Sequence, residues 1–186
     1  MATTTPDMST LLGVLLVLLV FLIFWAFRWR IIESMVSFHE AREIEPGLWI
    51  GSTMDARDED FIGRNDIRLI VNATDKVPRF VEDPGVEFVR IPVRDIRADD
   101  RAMLEGLPRA VEALQRHRRQ NHAVLIHCFA GVSRSATVCA AYLMASRNVD
   151  ADQAIAAIRA KKPETFGSRS VFRAALDDFR KNYVAT

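Results

Sequence analysis

The stretch AVLIHCFAGVSRSATVCAAYLM, residues 123–144, decides the fold. Its opening, AVLIHC, is a short apolar and β-branched run of the kind that forms a buried strand, whereas GVSRSATVCAAYLM reads as the start of a helix. A strand that passes through a small-residue turn into a helix puts Cys128 at the carboxyl end of the strand, where open α/β sheets receive ligands. The turn 129–134 is expected to curl so that successive backbone N–H groups face inward, with the positive end of the next helix behind them. Ala130 and Gly131 let the backbone approach a ligand closely, and Arg134 offers a planar fork that matches two oxygens of a tetrahedral phosphate. A thiol reacts as its thiolate, and a positive field of this kind favours that form. One loop therefore serves both as an anion cradle and as the seat of a nucleophile.

Outward from this unit the pattern alternates. LWIG (48–51), RLIVNAT (68–74) and VEFVRIPV (86–93) read as further strands. Ser52 with Asp55 resembles a capping box that opens a first helix. Asp99 or Asp100 is placed to cap a long amphipathic helix through RAMLEGLPRAVEALQRHRRQ, within which Pro108 is a candidate break. Three more helical patterns follow, at 132–147, 151–161 and about 168–182. Strands alternating with helices imply an α/β fold with a mostly parallel central sheet and helices on both faces. Repeats and low-complexity tracts are absent from the sequence, and residues 44–183 suffice for one ordinary core.

The 186 residues are 49% hydrophobic with a formal net charge of +1, so the chain lacks the basic excess of a nucleic-acid binder. Much of the apolar content sits in MSTLLGVLLVLLVFLIFWAF (8–27), which is free of charge and ends at Arg28 and Arg30. A bilayer core of ~30 Å takes roughly 17–25 apolar residues in helix, so the expected organisation is a tail over 1–10 and a membrane anchor over 11–27. The rival reading, a cleaved signal peptide, is disfavoured because Asp7 and no Lys or Arg precede the run and no small-x-small site follows. Basic flanks stay in the cytosol, which orients the rest of the chain inward. The two cysteines, Cys128 and Cys139, form no disulfide framework and fit a reducing compartment. RIIESMVSFHEARE (30–43) spaces its apolar residues as a juxtamembrane helix would, so 28–43 is expected to be helix or linker, and 44–183 the folded domain.

His127-Cys128-x5-Arg134-Ser135 resembles the signature of the cysteine-dependent protein tyrosine phosphatase superfamily. HCFAGVSRSATVCAAYLM together with IEPGLWIGS at the domain start resembles the dual-specificity phosphatases within it, across 44–183. The resemblance implies that Cys128 attacks phosphorus to form a phosphocysteine. It implies that Arg134 and the loop Phe129, Ala130, Gly131, Val132 and Ser133 hold the phosphate oxygens, that Ser135 hydrogen-bonds the leaving thiolate, and that His127 sets the loop geometry from behind. It also implies an Asp general acid on the loop before the long helix, where IPVRDIRADD offers Asp95; Asp99 and Asp100 read better as caps, and Asp75 comes too early. No metal or cofactor is implied, since two separated cysteines and four scattered histidines make no ligand cluster. Cys139 reads as a small core residue.

Two departures from the family pattern stand out. Relatives often carry Pro-Asn before the last helix and Gln within it, where this chain has Ser168-Arg169 and Ala175. The first variable position of the loop is Phe129, where many relatives place a polar or basic residue. Three functions are compatible with the residues: a membrane-anchored phosphatase of phosphorylated proteins, an inactive phospho-binding module, and an inositol-lipid phosphatase. The presence of Cys128, Arg134 and Asp95 argues against the inactive module. The uncharged side chains of 129–133 favour a single protein-borne phosphate over a multiply phosphorylated headgroup.

Overall fold

A computed structural model describes residues 15–25, 40–76, 79, 82–167 and 172–184. The chain divides into two units, Met1–Ser37 and Phe38–Thr186. In the first, residues 15–25 form a helix, α1, whose apolar side chains from Leu15 to Trp25 are all exposed. At 1.5 Å per residue α1 is about 16 Å long, short of a ~30 Å bilayer core. No helix among the described residues is long and apolar enough to cross a membrane. The span expected over 11–27 is thus represented by α1 alone, with 11–14 and 26–27 outside the described residues.

The second unit is built on a five-stranded sheet in the order β1-β2-β5-β3-β4. The strands are β1 (Arg42–Glu45), β2 (Leu48–Gly51), β3 (Ile67–Asn72), β4 (Glu87–Arg90) and β5 (Ala123–His127). β2, β5, β3 and β4 run parallel, and β1 joins the edge antiparallel through a tight turn at Pro46-Gly47. The sheet is thus mostly parallel, as expected, and mixed only through its edge strand β1. β1 starts at Arg42, inside the stretch expected to be helix or linker. Its sequence REIE buries only Ile44, so neither strand nor helix periodicity is visible in it.

Alternate residues of the strands feed two cores. Leu48, Ile50, Leu69, Val71, Val124 and Ile126 pack beneath the larger helical layer, which comprises α3 (Asp100–Arg119), α4 (Arg134–Arg147), α5 (Ala151–Lys161) and α6 (Arg173–Phe179). Ile67, Ile70 and Leu125 pack on the other face against Ala56 and Ile62, the latter on the short helix α2 (Glu59–Arg64). Because β5 is central and parallel-paired on both sides, its apolar residues are buried whichever way they point, which is why AVLI shows no alternation.

Four local expectations differ from the structure. Pro108 lies inside α3 without ending it. Met103 and Leu107 before the proline and Ala110, Val111 and Leu114 after it are all buried on one face, so packing holds both halves in line. Asp99 does not cap α3 with its side chain, which is engaged by Arg94 instead. Ser52 and Asp55 make one arm of a capping box: the Ser52 N–H donates to Asp55 Oδ2 at 2.6 Å, and the turn they open is the 3₁₀ segment Asp55–Arg57. α2 is capped separately by Asp58, which accepts from the Phe61 N–H at 2.9 Å. The last helical pattern is split, with α6 passing at Arg180 into a wider turn, Arg180–Val184. Elsewhere the periodicity served well: α5 occupies 151–161 and carries a capping box of Asp150 and Gln153.

One polar contact ties the start of the unit to its far end. Lys162, fully buried after α5, donates from Nζ to the Glu40 carbonyl at 3.1 Å and to Glu164 Oε1 at 3.0 Å.

Candidate active site

β5 delivers Cys128 to the edge of the sheet. His127, the last strand residue, pairs with Gly51 of β2 on one side and Asn72 of β3 on the other. The Cys128 N–H reaches the Gly51 carbonyl at 3.4 Å, and Thr53 continues the connection, its N–H donating to Phe129 O at 3.2 Å and its hydroxyl to Cys128 O at 3.1 Å. The far side of the loop is held by Phe166, whose N–H donates to Val132 O at 3.0 Å. Gly131 sits at φ +76°, in the left-handed region, with its α-carbon so close to β2 that an added Cβ would lie 2.8 Å from Gly51 O. Only glycine fits there, and the loop's curl depends on it.

The loop closes around the sulfur. Cys128 is buried, and its Sγ accepts from the Gly131 N–H at 3.3 Å and from the Ser135 hydroxyl at 3.3 Å. α4 begins at Arg134, so the positive end of its dipole is directed at the same atom. Two donors and the start of a helix thus converge on the sulfur. Burial, and secondarily the charge of Arg134, depresses the His127 imidazole to about 4, so it is neutral at ordinary pH; its Nδ1 lies 3.4 Å from Cys128 O. Cys139, on α4, is enclosed in the core, and burial pushes its thiol up, away from reactivity.

Arg134 is largely buried, with Nη1 donating to the Val93 carbonyl at 3.2 Å. Its Nε is buried without a hydrogen-bond partner and stands 3.8 Å from Asp95 Oδ2. An unsatisfied charged donor of this kind is costly unless an acceptor arrives, and a phosphate oxygen supplies one. Asp95 itself reaches the loop, accepting from the Ser133 hydroxyl at 2.7 Å through Oδ1. The segment carrying Asp95 is clasped by a local ring. The Arg94 N–H donates to Asp99 Oδ2 at 2.7 Å, and its guanidinium to Asp99 Oδ1 at 2.6 Å. That contact holds the Asp99 carboxyl below and the Arg94 guanidinium above their usual ranges.

Cys128, Ser133, Arg134, Ser135 and Asp95 are thus brought together, with His127 behind the nucleophile position and Phe129 standing out from the rim. Thr53, Val93 and Phe166 carry no mark in the sequence, since each acts through backbone groups or from a distant segment. Ser168 and Arg169 lie outside the described residues, and Ala175 is buried in α6 as part of the core.

Residues 48–182 match the family model for the dual specificity phosphatase catalytic domain. The chain belongs to this family. Over 124 residues it is 35% identical to dual specificity protein phosphatase Mpk3 of Drosophila melanogaster, covering 66% of this chain and 30% of that protein. It is 33% identical over 141 residues to human dual specificity protein phosphatase 9, covering 75% of this chain and 36% of the relative. The chain therefore spans about a third of the length of these curated relatives. Among solved structures, human DUSP28 superposes with a TM-score of 0.69 at 30% identity over 76% of this chain and 93% of DUSP28. The domain thus has the mixed-sheet α/β architecture of the phosphatases it resembles.

Proposed function

We propose that this chain hydrolyses phosphate monoesters on protein side chains, phosphotyrosine as well as phosphoserine and phosphothreonine, through a phosphocysteine on Cys128. The observation that carries the reading is the Cys128 sulfur, held by the Gly131 N–H and the Ser135 hydroxyl at 3.3 Å each, beside an Arg134 Nε that has no hydrogen-bond partner. In the first step Sγ attacks phosphorus and the P–O ester bond breaks, while Arg134 and the N–H groups of 129–134 hold the remaining oxygens. Asp95, protonated for this step, gives its proton to the departing oxygen. In the second, Asp95 takes a proton from water as that water attacks phosphorus; the P–S bond breaks, and Ser135 donates to the sulfur as it leaves as thiolate. The products are the free side chain and inorganic phosphate. Arg134 stabilises the charge that spreads over the equatorial oxygens, the larger part of catalysis in phosphoryl transfer.

The remainder of the reading is an arrangement of a tail over 1–10, a membrane anchor over 11–27, a linker over 28–43 and the catalytic domain over 44–183, with that domain in the cytosol. The support is α1, an apolar helix exposed along its described length, and the basic residues Arg28 and Arg30 after it in sequence. A lipid substrate is the second reading. Its support is the apolar N-terminal segment, and against it stands the lack of any charged side chain at 129–133.

Full-length protein in detergent is assayed for phosphate release from phosphotyrosine and phosphothreonine peptides and from short-chain phosphoinositides, beside Cys128→Ser. The reading expects peptide turnover that disappears in the variant. A clear preference for the phosphoinositides overturns the choice of substrate, and turnover by Cys128→Ser overturns the mechanism.

A further inference from the structure

Among the described residues of the second unit, four large apolar side chains are exposed: Phe129 at 65%, Tyr183 at 55%, Met54 at 53% and Ile96 at 41%. Tyr183 stacks on Phe179 at the end of the helical layer. The other three each adjoin, in sequence, a residue of the candidate site or one bonded to it. Phe129 is the residue after Cys128. Met54 follows Thr53, whose backbone and hydroxyl bond Phe129 O and Cys128 O. Ile96 follows Asp95, which is bonded to Ser133 of the loop at 2.7 Å. Three separate segments, after β2, after β4 and after β5, therefore each place one large apolar side chain next to a residue in hydrogen-bond contact with the loop.

The backbone under these side chains is fixed. The Met54 N–H donates to Ser52 Oγ at 3.1 Å, and Ile96 O accepts from the Asp99 N–H at 3.1 Å, within the segment clasped by Arg94 and Asp99. Single exposed apolar residues are ordinary on a protein surface, but three that each adjoin the cysteine loop or its hydrogen-bond partners point to a contact surface. Whatever carries the phosphate into the loop must lie across it. With the phosphate held by Arg134 and the loop N–H groups, as the protein-phosphatase reading has it, the groups beside the phosphorylated atom would come nearest to Met54, Ile96 and Phe129.

We propose that this rim selects substrates in which large apolar residues flank the phosphorylated side chain, the flanking residues lying against Met54, Ile96 and Phe129. The proposal rests on the protein-phosphatase reading and deepens it by naming the sequence context. An extended peptide alternates its side chains, so residues next to the phosphorylated one and two places away both come within reach of the rim. Burying part of a Leu or Phe there is worth about tenfold in kcat/KM. A flanking Asp or Ser gains nothing from the same surface.

The test uses the full-length protein in detergent and two sets of phosphopeptides of equal net charge, one with Leu or Phe and one with Ser or Gln around the phosphorylated residue. The expected result is an apolar-to-polar ratio in kcat/KM of about ten, reduced severalfold in Met54→Ser and in Ile96→Ser. Because the ratio is read within each protein, a variant of lower overall activity still reports. Equal efficiencies on the two sets overturn the proposal while leaving phosphatase activity intact, and so does a preference that persists undiminished in both variants. Absence of turnover on any peptide overturns the protein-phosphatase reading, and the rim's role with it. If neither set is preferred but phosphoinositides in vesicles are hydrolysed much faster than their soluble headgroups, the rim belongs to a membrane contact instead.

Discussion

The Ser135 hydroxyl and the Cys128 sulfur lie 3.3 Å apart across the floor of the loop, with Ser135 donating. Ser135 is the second residue of α4 and fully buried, so its hydroxyl has little else to serve. A hydrogen bond to a charged partner contributes about 1.5–3 kcal/mol, and here it matters most when the sulfur must leave phosphorus as an anion. Ser135→Ala is therefore expected to slow the breakdown of the phosphoenzyme about 10- to 100-fold while sparing its formation. Rapid-mixing measurements with an aryl phosphate should show a burst of released phenol followed by a slow steady state. A variant that slows both phases equally would remove the proposed role.

Asp95 is separated from the nucleophile in the scheme and is expected to be separable in kinetics. Asp95→Asn should cost on the order of 10²–10⁴-fold on phosphothreonine, whose alkoxide needs a proton to depart. The loss should be much smaller on an aryl phosphate with a strongly activated leaving group. Equal losses on the two substrates would assign the proton to another group.

Gly131 carries the curl of the loop at φ +76°, with no room for a Cβ beside Gly51 O. Gly131→Ala must either strain the residue by about 1–2 kcal/mol or push the loop off β2. Its kcat should fall more than tenfold, with melting temperature lowered and the circular dichroism of the fold retained. Wild-type kcat in this variant would mean that the loop adjusts freely.

The His127 imidazole is held at about 4 by burial, below its usual value of ~6.5. Folding therefore excludes a proton that the unfolded chain accepts. Stability from the neutral ring is fully present above ~6.5 and is lost as pH falls from there towards 4, about 2 kcal/mol of it by pH 5. Melting curves at pH 7 and pH 5 should show a larger drop for the wild type than for His127→Gln. The same drop in both proteins would place the acid sensitivity elsewhere.

What was legible in the sequence is what is encoded locally. The passage from β5 through the loop into α4 is continuous in the chain, and its turn residues and helix start can be read in order. Asp95 is reachable by its position on the loop after β4, although its contact with Ser133 spans 38 residues. The supports were hidden because they are non-local and made by backbone groups: Thr53 reaches Cys128 O across 75 residues, and Arg134 reaches Val93 O across 41. β1 escaped because an edge strand with one buried side chain has no pattern to display. Asp99 stands at the N-cap position of α3 without capping it, because its side-chain chemistry suits an N-terminus and Arg94 equally and only the folded loop chooses.

The buried ammonium of Lys162 decides where this protein can be cut. Its acceptor, the Glu40 carbonyl, lies ahead of β1, and the turn it anchors leads through Thr165, bonded to Lys162 O, to Phe166, whose N–H holds Val132 in the cysteine loop. A fragment begun at residue 44, where the sequence alone would start the domain, removes one of the two acceptors of Lys162 and leaves only Glu164, at a cost of about 1–3 kcal/mol. A fragment begun at residue 38 keeps the stitch. The longer fragment is expected to melt higher and to retain more activity, and indistinguishable melting would show the contact idle. The chain just ahead of β1 is then no passive leash, but a seam whose opening would loosen the catalytic loop by way of Phe166.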